Sequence, residues 1–237
     1  MARRETINNK THLFFDLDHT LWDFDKNSKL TLLELYDEFG IGVNGVSSDD
    51  FVATFYKING QLWEQFNNGN KEKNFIRKHR FAMIFKELQI SESIDYHKVQ
   101  ERYIERCPLK PHTLTNAINV LEQLKAYYNM SIITNGFEEI QHKKLTGSGL
   151  LPYFEHIITS TQAGTRKPDP AIFHHAMNLA GCTSKECIMI GDDPITDILG
   201  AQKVGIDQVY LNTKAKPCNP TPTFEIKNLN ELLPLLV

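Results

Sequence analysis

No stretch of this 237-residue chain approaches the roughly 20 consecutive apolar residues that span a bilayer. The basic start Met1-Ala2-Arg3-Arg4-Glu5 is not followed by the apolar segment of a secretion signal. A cytoplasmic protein with no membrane partner is therefore expected. Excess positive charge is also lacking: 26 Lys and Arg stand against 29 Asp and Glu, a net charge of -3. That excludes binding of a nucleic acid polymer by bulk electrostatics and leaves a small phosphorylated ligand open. The four cysteines show no CxxC spacing and no paired histidines, which excludes a zinc site and suits thiols in a reducing compartment. Gly147-Ser148-Gly149 lacks the third glycine and the preceding strand of a dinucleotide fingerprint, so it reads as a helix stop. His174-His175 lies mid-helix without an acidic partner at metal-ligand spacing. With 41% hydrophobic and 23% charged residues, the chain is long enough to bury a core without staples.

What is present is organised around residues 12–25, HLFFDLDHTLWDFD. Leu13-Phe14-Phe15 has the length and composition of a buried strand, and it ends at once in Asp16 and Asp18. Alternate side chains of an extended segment point the same way, so both carboxylates would enter one small volume at the strand's end. Two close anions repel, which calls for a cation between them or a proton on one. A bare pair of this kind also fits the polar start of a turn.

Downstream, helical spacing runs over 27–39, with Gly40 as a stop. It resumes after the capping sequence Ser47-Ser48-Asp49-Asp50, with Phe51, Phe55, Ile58, Leu62 and Phe66 on one face, and again over 71–88 and 94–106. No strand is expected in this region, so 24–107 reads as a separate helical unit. From Leu109 onward, strands at 130–133, 156–158, 187–190 and 208–211 alternate with helices at 116–125, 138–145, 171–180 and 194–204. This alternation predicts an α/β fold: a parallel sheet, joined by the strand at 13–15, with helices on both faces. The core is thus 1–23 plus 108–237, with the helical unit inserted after the first strand. The apolar run 229–236 reads as a final helix docking on the core.

A parallel sheet brings its strand ends to one edge, where ligands of such folds bind. The first strand ends in Asp16-Leu17-Asp18-His19-Thr20 and the second in Thr134-Asn135-Gly136. The third is followed by Thr165-Arg166-Lys167-Pro168, and the fourth ends in Gly191-Asp192-Asp193-Pro194. Taken singly, Thr134 could cap a helix, Lys167 could be solvated, and Asp193-Pro194 could be an N-cap with its first-turn proline, Asp197 being favoured there by the helix dipole. Taken together they meet the demands of phosphoryl transfer. These are a carboxylate nucleophile, a hard cation held by oxygens, a second carboxyl of raised pKa for proton transfer, a hydroxyl beside a helix N-terminus, and a lysine to offset phosphate charge.

Asp16-x-Asp18-x-Thr20, Thr134-Asn135-Gly136, Lys167-Pro168 and Gly191-Asp192-Asp193-x-x-x-Asp197 resemble the four motifs of the haloacid dehalogenase superfamily, with a helical cap inserted after the first. The resemblance implies a Rossmann-like core, Asp16 as nucleophile and Asp18 as general acid and base. It implies Thr134 and Asn135 as phosphate holders and Lys167 as the charge-neutralising lysine. Mg²⁺ would be held by Asp16, the main-chain carbonyl of Asp18, and Asp192, with Asp197 in support. Within the superfamily, Asp18 and Asp192 favour phosphoryl chemistry over dehalogenation. The segment Asn59-Gly60-Gln61-Leu62-Trp63-Glu64-Gln65-Phe66-Asn67-Asn68-Gly69, with Arg80-Phe81, is similar to bacterial pyrimidine 5'-nucleotidases of this superfamily. The expected reaction is therefore Mg²⁺-dependent hydrolysis of a small phosphate monoester, a pyrimidine nucleoside 5'-monophosphate. Trp63 would stack on the base, and Arg80, on one helical face with Lys73 and Arg77, would contact substrate. A sugar-phosphate or phosphoglycolate phosphatase, a phosphomutase, or a non-catalytic phosphate-binding module would carry the same motifs.

Overall fold

The computed structural model describes residues 9–69, 71–72, 74–215 and 217–237. These divide into two compact units, one built from residues up to Phe24 together with Pro111–Val237, the other Asp25–Lys110. Among the described residues, no helix is long and apolar enough to cross a membrane. The Met1-Ala2-Arg3-Arg4-Glu5 start and Lys73 lie outside the described residues.

The first unit is an α/β core around a six-stranded parallel sheet. Its strands are β1 (His12–Phe15), β2 (Asn129–Thr134), β3 (His156–Thr159), β4 (Cys187–Gly191), β5 (Asp207–Leu211) and β6 (Phe224–Ile226), in the order β3-β2-β1-β4-β5-β6. β1 lies at the centre, and Phe15 is paired with Ile132 on one side and Ile190 on the other. Side chains alternate across a strand, so a central parallel strand must be apolar on both faces. One face carries Phe14, Ile133, Ile158 and Met189, packed against Ile172, Phe173, Ala176 and Ala201. On the other, Leu13, Phe15, Ile132, Ile188 and Ile190 are fully buried.

Departures from the sequence reading in the α/β unit include an edge strand and a broken helix. The edge strand β6 was not foreseen, because three residues, Phe-Glu-Ile, are too short to show a period. The segment 194–204 is not one α-helix: Pro194–Leu199 forms a π-helical turn that continues into a short α-helix, Gly200–Lys203. Gly149, with φ +72°, follows the end of the helix Glu138–Gly147 as a left-handed stop.

The second unit contains the helices Phe24–Glu38 (from Asp25 on), Ser48–Asn68, Phe75–Glu87 and Tyr96–Arg106. Ser47 caps the second helix by accepting the Asp50 N-H at 3.0 Å. Asp95 accepts the His97 N-H at 2.9 Å, which starts the fourth helix at Tyr96 rather than at 94. Phe55, Phe81 and Tyr103 meet with ring centroids 5.0 to 6.0 Å apart. Arg80 lies among these rings, its guanidinium 4.4 Å from the Tyr103 centroid and its Nη1 donating to Asn59 Oδ1 at 3.1 Å. The side chain expected to meet substrate is thus committed to the unit's own interior, where aromatic faces offset part of the cost of burying its charge.

Because Phe14 is wholly buried at the centre of the sheet, Phe14→Ala should destabilise the α/β unit by about 3–5 kcal/mol. The midpoint of its urea transition reads this loss, and one below 1 kcal/mol would contradict the packing described.

Candidate active site

The ladder of β1 extends one residue beyond the strand: the Asp16 N-H donates to the Ile190 carbonyl at 2.9 Å. Asp16 is therefore the first residue past the sheet's carboxyl edge, held by backbone on a rigid strand. Its Oδ1 accepts from Lys167 Nζ at 2.7 Å, and the same ammonium donates to Asp197 Oδ1 at 2.6 Å. Lys167 is 1% exposed, so it is no solvated loop residue. Its main chain is clamped by Asn135, whose amide Nδ2 donates to the Lys167 carbonyl at 2.9 Å while its Oδ1 accepts the Lys167 N-H at 2.8 Å. The side-chain amide of Asn135, one of the two expected phosphate holders, braces the lysine loop with both of its ends.

Asp192, just beyond β4, accepts from Thr20 Oγ1 at 3.2 Å. Asp193 caps the following turn, its Oδ1 accepting the N-H groups of Ile195 and Thr196 at 2.8 and 2.7 Å. The π-helical turn turns Asp197 back beneath Gly191; a Cβ on Gly191 would overlap the Asp197 carboxylate. π-Turns of this kind recur where a side chain has to be aimed into a site. One oxygen each from Asp16, Asp192 and Asp197 lie within 4.8 Å of one another.

Asp18 points to a second cation. Lys144 Nζ donates to its Oδ1 at 2.6 Å and its Oδ2 at 2.8 Å, and Gln141 Nε2 donates to Oδ2 at 2.9 Å. Gln141 also donates to Thr134 Oγ1 at 2.7 Å, and that oxygen accepts the Gly136 N-H at 3.1 Å. Thr134 does not cap the helix Glu138–Gly147; Phe137 stands at the cap position with no side-chain bond. With both lone pairs of its hydroxyl taken, Thr134 keeps its own proton to donate. The reading of residues alone missed Gln141 and Lys144. Their signal is two polar residues three apart, with Leu145 beside them, on a helix whose buried positions are Gln141, Lys144 and Leu145.

The description haloacid dehalogenase-like hydrolase belongs to a family model that matches residues 13–211. The chain belongs to this hydrolase family. It is 31% identical over 229 residues to the pyrimidine 5'-nucleotidase PynA of Streptococcus pneumoniae, covering 94% of each chain. To the pyrimidine 5'-nucleotidase YjjG of Escherichia coli it is 29% identical, over 94% of this chain and 96% of the relative. The crystal structure of the HAD-hydrolase YfnB of Bacillus subtilis, bound to magnesium, superposes with a TM-score of 0.86 at 28% identity, over 97% of this chain and 99% of that one.

In this hydrolase the two acids of the first motif sit in opposite electrostatic settings. Burial pushes the Asp16 carboxyl up to about 7; Lys167 opposes that rise, and the Asp197 and Asp18 anions add to it. Asp192 is raised well above the ordinary range by burial and then by Asp16 and Asp197. Asp18 departs from expectation. Burial would raise it, but the Lys144 charge and the hydrogen bonds from Lys144 and Gln141 outweigh that and hold it below 3.8, so the neighbouring-anion effect inferred from the sequence does not govern it. Asp18 and Lys144 balance each other. At the other pole Lys167 pairs with Asp16 and Asp197 while Asp192 lies close to both acids; with all three ionised, that one ammonium leaves a deficit of two positive charges. Closely spaced all-oxygen donors, two buried and one half-buried, with that deficit fit one hard divalent cation.

Between 3.8 and about 7 the folded chain binds more protons at Asp16 than the unfolded chain, so without metal this group's contribution falls as pH rises through that window. A cation in the cluster removes the penalty. Mg²⁺ should therefore raise the melting temperature more at pH 8 than at pH 5; equal shifts at the two pH values would contradict the crowded-anion account.

Proposed function

We propose that the chain is a Mg²⁺-dependent phosphomonoesterase that forms an aspartyl phosphate on Asp16 and acts on a pyrimidine nucleoside 5'-monophosphate. The observation that carries the chemistry is the fixed Asp16 carboxylate at the sheet edge, within reach of Lys167 and beside Asp192 and Asp197. Its likeness to PynA and YjjG over 94% of the chain supports the choice of substrate.

Asp16, Asp192 and the main-chain carbonyl of Asp18 would hold the Mg²⁺, and Asp197 would support Lys167. When bound, the ion supplies the positive charge that lets an anionic nucleophile approach an anionic ester. An Asp16 oxygen attacks phosphorus as the bond to the alcohol oxygen breaks, and the Asp18 carboxyl gives its proton to that oxygen. The charge brought by the substrate raises the proton affinity of Asp18 against the hold of Lys144, so Asp18 enters this step protonated. In the second half Asp18 takes a proton from water as the water oxygen attacks phosphorus, and the Asp16–phosphorus bond breaks to release phosphate. The Thr134 hydroxyl and the Lys167 ammonium hold the equatorial oxygens. Trp63, half-buried with its ring 5.6 Å from Phe66, is the candidate for stacking on the base. Arg80 has no part in this reading.

Turnover of p-nitrophenyl phosphate should require Mg²⁺, vanish with EDTA and fall by about 10³-fold or more in Asp16→Asn. An unchanged rate in that variant would overturn the nucleophile, and no turnover by the wild-type protein would favour a phosphate-binding module. Across a panel of phosphate esters, dUMP and dTMP should outrun sugar phosphates and phosphoglycolate in kcat/KM, and the reverse order would overturn the substrate class. Trp63→Ala should raise KM for dUMP about tenfold while sparing p-nitrophenyl phosphate.

A further inference from the structure

Gln141 and Lys144 are both buried, carry no step of the reaction above, and aim their side-chain hydrogen bonds at two groups that do, Asp18 and Thr134. Gln141 has two amide protons, and it gives one to Asp18 and the other to Thr134. Lys144 reaches both oxygens of Asp18 and lies 4.6 Å from the centroid of Trp22, whose face holds the ammonium from the side. Space for this arrangement is made by Gly136. A Cβ there would overlap the Gln141 amide from Nε2 to Cγ, so the glycine after Thr134-Asn135 is what lets the glutamine cross to both partners. Gln141 Oε1 is buried without a partner, which a merely structural glutamine would avoid; the amide is oriented by its two donors at the cost of its acceptor.

We propose that Lys144 and Gln141 are positioning residues that lock the Asp18 carboxyl and the Thr134 hydroxyl into one rigid unit, so that the proton donor for the leaving oxygen and a donor to the phosphoryl group move together. The proposal rests on the role given to Asp18 in the preceding section. A carboxyl gripped at both oxygens cannot rotate away from the departing alcohol. Orientation of this kind is lost when a supporting group is removed, even though the acid itself remains.

The test compares kcat/KM for an ester whose leaving group departs without a proton, p-nitrophenyl phosphate, with that for an alkyl ester that needs one, dUMP. Since kcat/KM reads the steps through departure of the alcohol, a misplaced general acid should penalise dUMP far more. Lys144→Met and Gln141→Leu should each lose about 10²-fold on dUMP and less than tenfold on p-nitrophenyl phosphate. Lys144→Arg should recover most of the dUMP rate, because it restores the charge-assisted donors. Gly136→Ala should reproduce the Gln141→Leu pattern by pushing the glutamine aside. Equal losses on both esters, or no loss in Lys144→Met, would overturn the clamp. Asp18→Asn, run beside them, separates the two levels. A selective dUMP loss in Asp18→Asn without one in Lys144→Met defeats the clamp alone, whereas no selective loss in Asp18→Asn defeats the acid assignment and the clamp with it.

Discussion

Everything at the sheet edge follows from one electrostatic imbalance: the carboxylates of Asp16 and Asp197, both buried, share the ammonium of Lys167, and the half-buried Asp192 carboxylate lies close to both. Burying even one unpaired carboxylate is costly, and like charges at this separation add to the cost. Such a cluster persists only because backbone geometry leaves it no alternative. Asp16 is fixed by the ladder to Ile190, and Lys167 by both ends of the Asn135 amide. Asp197 is fixed by a π-turn against a glycine. The fold thus stores a standing demand for positive charge at the place where a phosphate ester would also have to be met.

Beside it lies a second, balanced pole. Asp18 has its own lysine, Lys144, and is held ionised, while Asp16 two residues earlier is pushed toward neutrality. Two carboxylates on one short segment are driven apart in proton affinity by their surroundings, in the sense opposite to their proposed roles; a cation in the cluster would favour ionised Asp16, and the substrate's charge would raise Asp18. Two glycines make the division sterically possible, Gly191 by admitting Asp197 and Gly136 by admitting Gln141.

Much of this was legible in the sequence because β1 and β4 are central parallel strands, whose apolar runs end abruptly in acids that the topology must bring to one edge. The four strand-end motifs needed only order and spacing to be read. What was not legible depends on which way a side chain turns. Asn135 adjoins the site in sequence, yet its amide turns to the Lys167 backbone. Arg80 falls at a helical position that allows either a surface or an interior role, and the rings of Phe55, Phe81 and Tyr103 decide for the interior. His19, at φ +64°, occupies the left-handed region, a backbone demand that its side chain conceals. Gln141 and Lys144 went unread because polar residues on a helix are ordinarily solvated; only Asp18 in three dimensions gives them a reason to be buried.

The imbalance itself can be measured by titrating the metal-free protein with Mg²⁺ calorimetrically at pH 6 in two buffers of different ionisation enthalpy. The account predicts one ion per chain, with proton release on binding because Asp16, pushed up to about 7, holds a proton at pH 6 in the metal-free protein, and loss of that binding in Asp192→Asn. Binding without proton release, or binding that survives Asp192→Asn unchanged, would contradict it.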